Sequence, residues 1–337
     1  MKKTFLALAV LGAFAGTASA QSSVTIYGLL DLSIAKNNCA PAGAVTNCAN
    51  NPGTPTNEAW TMQQSAASRL GFRGNEDLGG GLSAQFQIEH RFTPDNGAVD
   101  SSGIMWYGRS YVQLTSASAG SVYLGREYDP SFWIANKSDP FGWDGVGRIG
   151  TMQNAGFGAQ NSGSSVRTNN TVGYKTPNLG GLTANVAVSL GEGAPNPRQT
   201  GFNVEYAGGP IYAGLGYEKL GEGAASVDGN SLVNLALHYN FGFAKLIGFY
   251  ARGKTNGGAD TNKTVLIGAT APIGPGKLKV AAARLDPQGD NNSRTKLGVG
   301  YDYLLSKRTS VYADVGLAKE DGRDNSNAFA LGIKHTF

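Results

Sequence analysis

The sequence predicts an all-β fold: a transmembrane antiparallel β-barrel of sixteen strands around a water-filled lumen. Three observations carry this reading. Apolar and polar residues alternate with period two, short turns alternate with long loops, and the chain is rich in glycine (49 of 337) yet only 15% charged. An apolar fraction of 41% and a mean hydropathy of −0.22 exclude a bundle of membrane helices, each of which needs ~20 consecutive apolar residues. Fourteen Tyr, fourteen Phe and four Trp argue against disorder, and a formal charge of +4 against a strongly basic nucleic-acid binder.

Residues 1–20 read as a cleaved export signal. Lys2 and Lys3 form a basic start, Phe5 to Phe14 an apolar core, and Ala18-Ser19-Ala20 a small-residue cleavage site. Residues 21–337 then form a single barrel domain, with a constriction loop over about 128–165. Cys39 and Cys48 are the two cysteines, in a stretch rich in Asn, Pro and Ala. In an oxidising compartment the pair suits a disulfide closing a small loop; no His lies near to complete a zinc set.

The alternation starts at Val24, Ile26, Leu30, Leu32 and Ile34, which share one face against Thr25, Tyr27, Asp31 and Ser33. It recurs in Leu82, Ala84, Phe86 and Ile88, in Leu182, Ala184, Val186 and Val188, and in Leu297, Val299, Tyr301 and Tyr303. Sixteen such segments are predicted, with fourteen or eighteen as the alternatives if one pair is merged or split. They span 22–34, 61–75, 81–93, 105–117, 120–127, 166–177, 181–191 and 200–208, then 210–220, 231–242, 243–253, 263–273, 276–285, 294–305, 309–319 and 327–337. Each is near the ~9–11 residues that a tilted membrane strand requires.

Between them, short turns such as Asp77-Leu78-Gly79-Gly80 and Gly274-Pro275-Gly276 alternate with long polar connectors, of which 128–165 is the longest. Short turns on one side and long loops on the other are the mark of an outer-membrane barrel. Lipid cannot satisfy a bare strand edge, so a spanning sheet must close on itself. Its outside is apolar and its inside polar, which yields both the alternation and the near-neutral mean hydropathy.

At this level of detail the chain resembles the general porins of Gram-negative outer membranes, especially the β-proteobacterial branch. The likeness is carried by Ser22-Ser23-Val24-Thr25-Ile26-Tyr27-Gly28, by the run from Ser68-Arg69-Leu70-Gly71-Phe72 to Leu82, and by Val122-Tyr123-Leu124-Gly125-Arg126. Asn169-Asn170-Thr171-Val172-Gly173-Tyr174, Leu305-Ser306-Lys307-Arg308-Thr309 and the closing Gly332-Ile333-Lys334-His335-Thr336-Phe337 complete it. The resemblance implies a homotrimer in outer-membrane lipid, passive diffusion of ions and small hydrophilic solutes, no cofactor and no nucleic-acid partner. It also implies a third loop folded into the lumen and a terminal aromatic, Phe337, that serves as an insertion signal.

Family members line the wall opposite that loop with basic residues. Arg69 and Arg167 fall on matching motifs, and Arg109 alternates inward, away from Ser110, Val112 and Leu114. Strict alternation turns Arg126 toward lipid, at ~2–4 kcal/mol near the midplane, so a bend or bulge at Gly125 is expected to return it to the pore wall. The loop supplies the acidic candidates Asp129, Asp139 and Asp144. A basic wall facing an acidic loop predicts mild anion preference, with Lys175 and Lys334 contributing and Asp31, Glu89, Glu127 and Asp139 opposing.

Competing readings are a substrate-specific channel, an adhesive barrel acting through its external loops, a β-solenoid and a barrel hydrolase. The solenoid needs a fixed repeat that is absent. The hydrolase needs a base-activated nucleophile, whereas His90 and His335 lie on the apolar phase and His238 stands alone between Leu237 and Tyr239. No enzymatic activity is expected.

Overall fold

The computed structural model describes residues 23–37, 60–100, 103–157, 166–192, 198–221, 229–255, 258–288, 293–321 and 325–337. The predicted export signal and the Cys39–Cys48 pair lie outside the described residues. The chain forms β1 Ser23–Asn37, β2 Trp60–Gln63, β3 Arg69–Gly79, β4 Leu82–Thr93, β5 Ala98–Val99, β6 Arg109–Ser116, β7 Gly120–Tyr128, β8 Arg167–Lys175 and β9 Leu182–Ser189. It continues through β10 Gln199–Gly208, β11 Ile211–Leu220, β12 Ser231–Asn240, β13 Lys245–Thr255, β14 Asp260–Ile273, β15 Gly276–Pro287, β16 Arg294–Leu304, β17 Thr309–Glu320 and β18 Ser326–Thr336.

Every pairing is antiparallel, and β18 returns to β1 with Leu29 opposite Thr336, so the sheet closes. β2 and β3 both pair with β1 and form two pieces of one barrel strand, while β5 is a two-residue ribbon on the end of β4. The wall therefore has the predicted sixteen strands. At the seam, Gly28 and Phe337 exchange backbone hydrogen bonds of 3.0 and 3.1 Å. A Cβ on Gly28 would lie 2.2 Å from the Phe337 ring, so only glycine lets that terminal aromatic lie against the wall.

The predicted segment 61–75 is interrupted over 64–68. The cause is Asp31, whose carboxylate accepts from the Ser65 and Ala66 amides at 3.0 and 3.2 Å and pulls the chain out of the ladder. The freed Ser65 carbonyl then accepts from Gly145 of the long loop at 3.0 Å.

Outward positions are apolar and exposed, as Val24, Ile26, Val112, Leu114, Leu237, Ile267 and Leu331 illustrate. The inward phase is not uniformly polar. Along β12 to β14 it carries Leu232, Ala236, Ile247, Phe249, Ala251 and Leu266, which join Ile134, Phe141, Ile149 and Met152 of the long loop in one apolar cluster. That segment lies against the lumen face of the barrel and buries apolar surface there, at about 25 cal/mol per Å².

Candidate functional site

The long loop leaves β7 at Asp129 and begins with a helix, α1, over Pro130–Ser138. Proline at the first helical position suits this start, because its missing N–H has no intrahelical partner to lose. The Asp129-Pro130 pair is the local signal for this helix, which strand periodicity does not reveal. A 3-10 turn over Gly150–Asn154 follows.

Inward polar residues of the facing wall pin the loop by its backbone. Asn203 Nδ2 donates to the Pro130 carbonyl at 2.7 Å and Asn234 Nδ2 to the Ser131 carbonyl at 3.0 Å. The Glu218 carboxylate accepts from the Ser131 amide at 2.9 Å, and Thr264 Oγ1 donates to the Met152 carbonyl at 2.6 Å. Lys137 forms an ion pair with Glu205. Close approach needs bare wall positions: a Cβ on Gly298 would fall 2.0 Å from the Gly147 carbonyl oxygen. His238 contacts Ser138 Oγ at 3.0 Å, but that hydroxyl also donates to the Ile134 carbonyl at 2.7 Å within the helix, so the pair serves as another pin.

Opposite the loop, a cavity of about 600 Å³ is lined by five arginines, Arg69, Arg91, Arg109, Arg148 and Arg167, and by the carboxylates of Glu89, Asp100 and Asp144. Three of the four expected basic residues thus share one site. Arg109 is paired with the buried Glu127, and Arg91 with Glu89 at 2.7 Å. Arg91 also donates to the Ala67 carbonyl at 3.0 Å and to Tyr128 Oη at 3.2 Å. Arg167 donates to the same hydroxyl and lies 4.2 Å from the Tyr128 ring centroid, a cation–π contact. Arg69 Nε donates to the Ala67 carbonyl at 3.0 Å.

Arg91 was not among the expected residues, although its signal was available: His90 falls on the apolar phase, so its neighbour points inward. Arg148 belongs to the loop itself, and no strand phase predicts its position. A second cavity of about 290 Å³ shares Asp144 and Gly142 with the first and contains Lys245, Lys277, Lys279 and Lys334. There Lys279 bridges Asp302 and Asp314 at 2.6 and 3.1 Å. Lys175, the other expected contributor, stacks 4.6 Å from the Tyr123 ring.

Three expectations need correction. Arg126 does not line the large cavity. The bulge is present, with Gly125 at φ +136°, but its extra residue sits on β8, between Thr168 and Thr171. Arg126 stays opposite Ser110 on the outward phase. Its guanidinium is sheltered by Tyr107, whose carbonyl accepts at 2.9 Å and whose ring centroid lies 5.0 Å away, and by Asn169 at 2.6 Å.

Asp129 is buried at the root of the loop, and burial pushes its carboxyl up to about 7. Asp139 spends its carboxylate on the loop, accepting from the Phe141, Ile149 and Gly150 amides at 3.0, 2.9 and 3.1 Å. Burial raises it too, against those three amides. Of the three acids expected to face the pore, Asp144 alone lines the large cavity, while Asp139 joins it on the lining of the smaller one. Burial raises the Asp144 carboxyl, with Arg69 the main opposing charge.

A closed sixteen-strand barrel, a pinned inner loop and a basic wall facing it call for comparison with known channels. The model of the Gram-negative porin family matches residues 7–323. The chain belongs to the Gram-negative porins. Among its relatives, the outer membrane porin protein 32 of Delftia acidovorans is 36% identical, over 99% of this chain and 93% of the relative. An outer membrane porin protein of Bordetella pertussis is 29% identical over the full length of both. Among solved structures, an anion-selective porin from Comamonas acidovorans superposes with a TM-score of 0.79 at 29% identity, covering 94% of this porin and all of the other chain. This porin is accordingly an outer-membrane protein that crosses the bilayer with strands, and its relatives are channels rather than enzymes.

Proposed function

We propose that this porin passes ions and small hydrophilic solutes by passive diffusion, with a mild preference for anions, and that it does so as a homotrimer. The observation that carries the preference is the charge around the larger cavity. Five arginines stand against three carboxylates there, and counting Glu127 behind Arg109 leaves an excess of one positive charge. Guanidinium groups stay protonated even where water is scarce, and Arg91 and Arg167, buried in the wall, have Glu89 and the Tyr128 hydroxyl and ring as partners. The lysine-bearing cavity is close to balanced by its aspartates and adds little to the sign.

Solutes pass between the four wall arginines and the loop, which brings Asp144 and Arg148 to the same cavity. The excess of positive charge on the wall sets a transverse field. The Comamonas structure, described as anion-selective, supports the same sign, and an outer membrane protein of Vibrio cholerae with the same fold is described in a trimer form. Liposome swelling with sugars of graded size tests passive diffusion, and should give rates that fall smoothly with solute size. Under a salt gradient in a planar bilayer, the reversal potential should take the sign of anion preference. A cation-selective sign would sink the proposal.

A further inference from the structure

The large cavity has two unlike sides, and ion preference uses only the charged one. Its other side belongs to the long loop and is aromatic, formed by Phe132 and Trp133 of α1 and by Trp143 near the loop tip. Phe132 is buried, stacked on Tyr128 with centroids 4.6 Å apart, whereas Trp133 and Trp143 stay half-buried on the cavity lining. Trp143 has φ +68°, a left-handed backbone that is unfavourable for a bulky residue. Its indole N–H is buried with no partner among the described residues. Glycine would remove both costs, as at neighbouring Gly142 with φ +63°, so the ring is what this position adds. Loop hydrogen bonds hold it there: Asn136 Nδ2 donates to the Gly142 carbonyl at 3.0 Å, and Arg148 to the Trp143 carbonyl at 3.1 Å.

On the charged side the arginines differ in what they have left to give. Arg91 donates through all three nitrogens to Glu89, Ala67 and Tyr128, and Arg109 through all three to Glu127 and Gln87. Arg69 Nε donates to the Ala67 carbonyl at 3.0 Å, but its two terminal nitrogens make no hydrogen bond or ion pair among the described residues. A pair of parallel N–H groups is the geometry that a carboxylate accepts. Arg91 shares the Ala67 carbonyl with Arg69 and reaches on to the Tyr128 hydroxyl, whose ring centroid lies 5.0 Å from that of Trp133. Anchor and rings therefore belong to one continuous wall. Arg109 lies 5.7 Å from the Trp133 centroid, so ring and charge already meet across the passage.

We propose that this cavity holds a subsite for aromatic monocarboxylates, with the carboxylate on Arg69 and the ring against Trp133 and Trp143. It rests on the anion preference proposed above and adds a choice among anions. The excess of one positive charge suits a single carboxylate, and a second one would meet Asp100 and Asp144 on the same lining. A volume of about 600 Å³ takes a one-ring solute together with water. Aromatic rings in offset or edge-to-face contact gain beyond the area they bury, so a flat ring is held better than a saturated ring of similar size.

The test uses the whole porin in a planar bilayer carrying chloride current at neutral pH, with benzoate, cyclohexanecarboxylate or the uncharged benzamide added. Block is read as the fractional loss of each protein's own chloride current. Benzoate should block wild type at about two- to ten-fold lower concentration than cyclohexanecarboxylate, and benzamide should block least. Trp133→Leu should erase the difference between the two acids, and Arg69→Ser should weaken both. The comparison of the acids on wild type needs no variant, so it decides even if Trp133→Leu fails to insert. Equal block by the two acids in an anion-selective wild type, an undiminished preference in a conducting Trp133→Leu, or equal block by benzamide and benzoate would each overturn the subsite alone. A cation-selective wild type would overturn the anion preference and the subsite with it.

Discussion

The two sides of the lumen use the same alternation for opposite ends. On β3, β4, β6 and β8 the inward side chains include Arg69, Arg91, Arg109 and Arg167, gathered around one cavity. Along β10 to β14 the inward positions are Asn203, Glu218, Asn234, Ile247, Leu266 and Thr264, and the loop covers them. One side gathers its charge on the wall of a cavity. The other uses hydrogen bonds and apolar packing to fix what that charge faces. An inward polar residue in a porin therefore has two fates, and which one it meets depends on where the loop lies.

Breaking the pinned side should have the largest effect. Asp139→Ala strands three loop amides, each unsatisfied buried donor costing about 1–3 kcal/mol. Single-channel recordings of that variant should show a noisier and larger conductance, with the barrel still resistant to denaturation. A steady wild-type conductance would mean that the apolar cluster alone holds the loop.

The protonation of Asp129 sharpens the same point. Its carboxyl is raised in the folded state to about 7, above the ~3.9 of an unfolded chain. Between those values the folded protein binds the extra proton, so stability falls as pH rises from about 4 to 7 and the loss is complete above it. Asp129→Asn should flatten that dependence and raise the melting temperature at neutral and alkaline pH. Thermal melts across this range check the sign.

On the open side, Asp144→Asn should raise anion preference modestly, since it removes the one loop aspartate that lines both cavities. The smallest change in ion preference is expected for Arg126→Gln. Sheltered under Tyr107 on the outward phase, Arg126 should leave the reversal potential as it is. A shift as large as that of Arg69→Ser would return it to the pore wall.

The barrel was legible in the sequence because lipid demands an unbroken apolar phase, and Leu182, Val186 and Val188 or Leu297 and Val299 supply it regardless of what lies inside. Arg69, Arg109 and Arg167 were legible for the same reason, by opposition to apolar neighbours. Period two carries no information about the loop. It could not separate Asp144, which lines both cavities, from Asp139, which lines only the smaller one and spends its carboxylate on loop amides up to eleven residues of chain away. Nor could it show that inward Ile247 and Leu266 would be dry. Arg126 failed for a third reason: the bulge lies on the partner strand, so nothing in 122–128 marks which way it acts.

The central claim is that the arginines facing the pinned loop set the ion preference. It is tested most directly by the reversal potential of the double variant Arg69→Ser/Arg167→Ser beside wild type, in one salt gradient across a planar bilayer. The account predicts an anion-selective wild type and a variant shifted toward cations, with assembly and heat resistance retained. An unshifted potential in a well-assembled variant would contradict it.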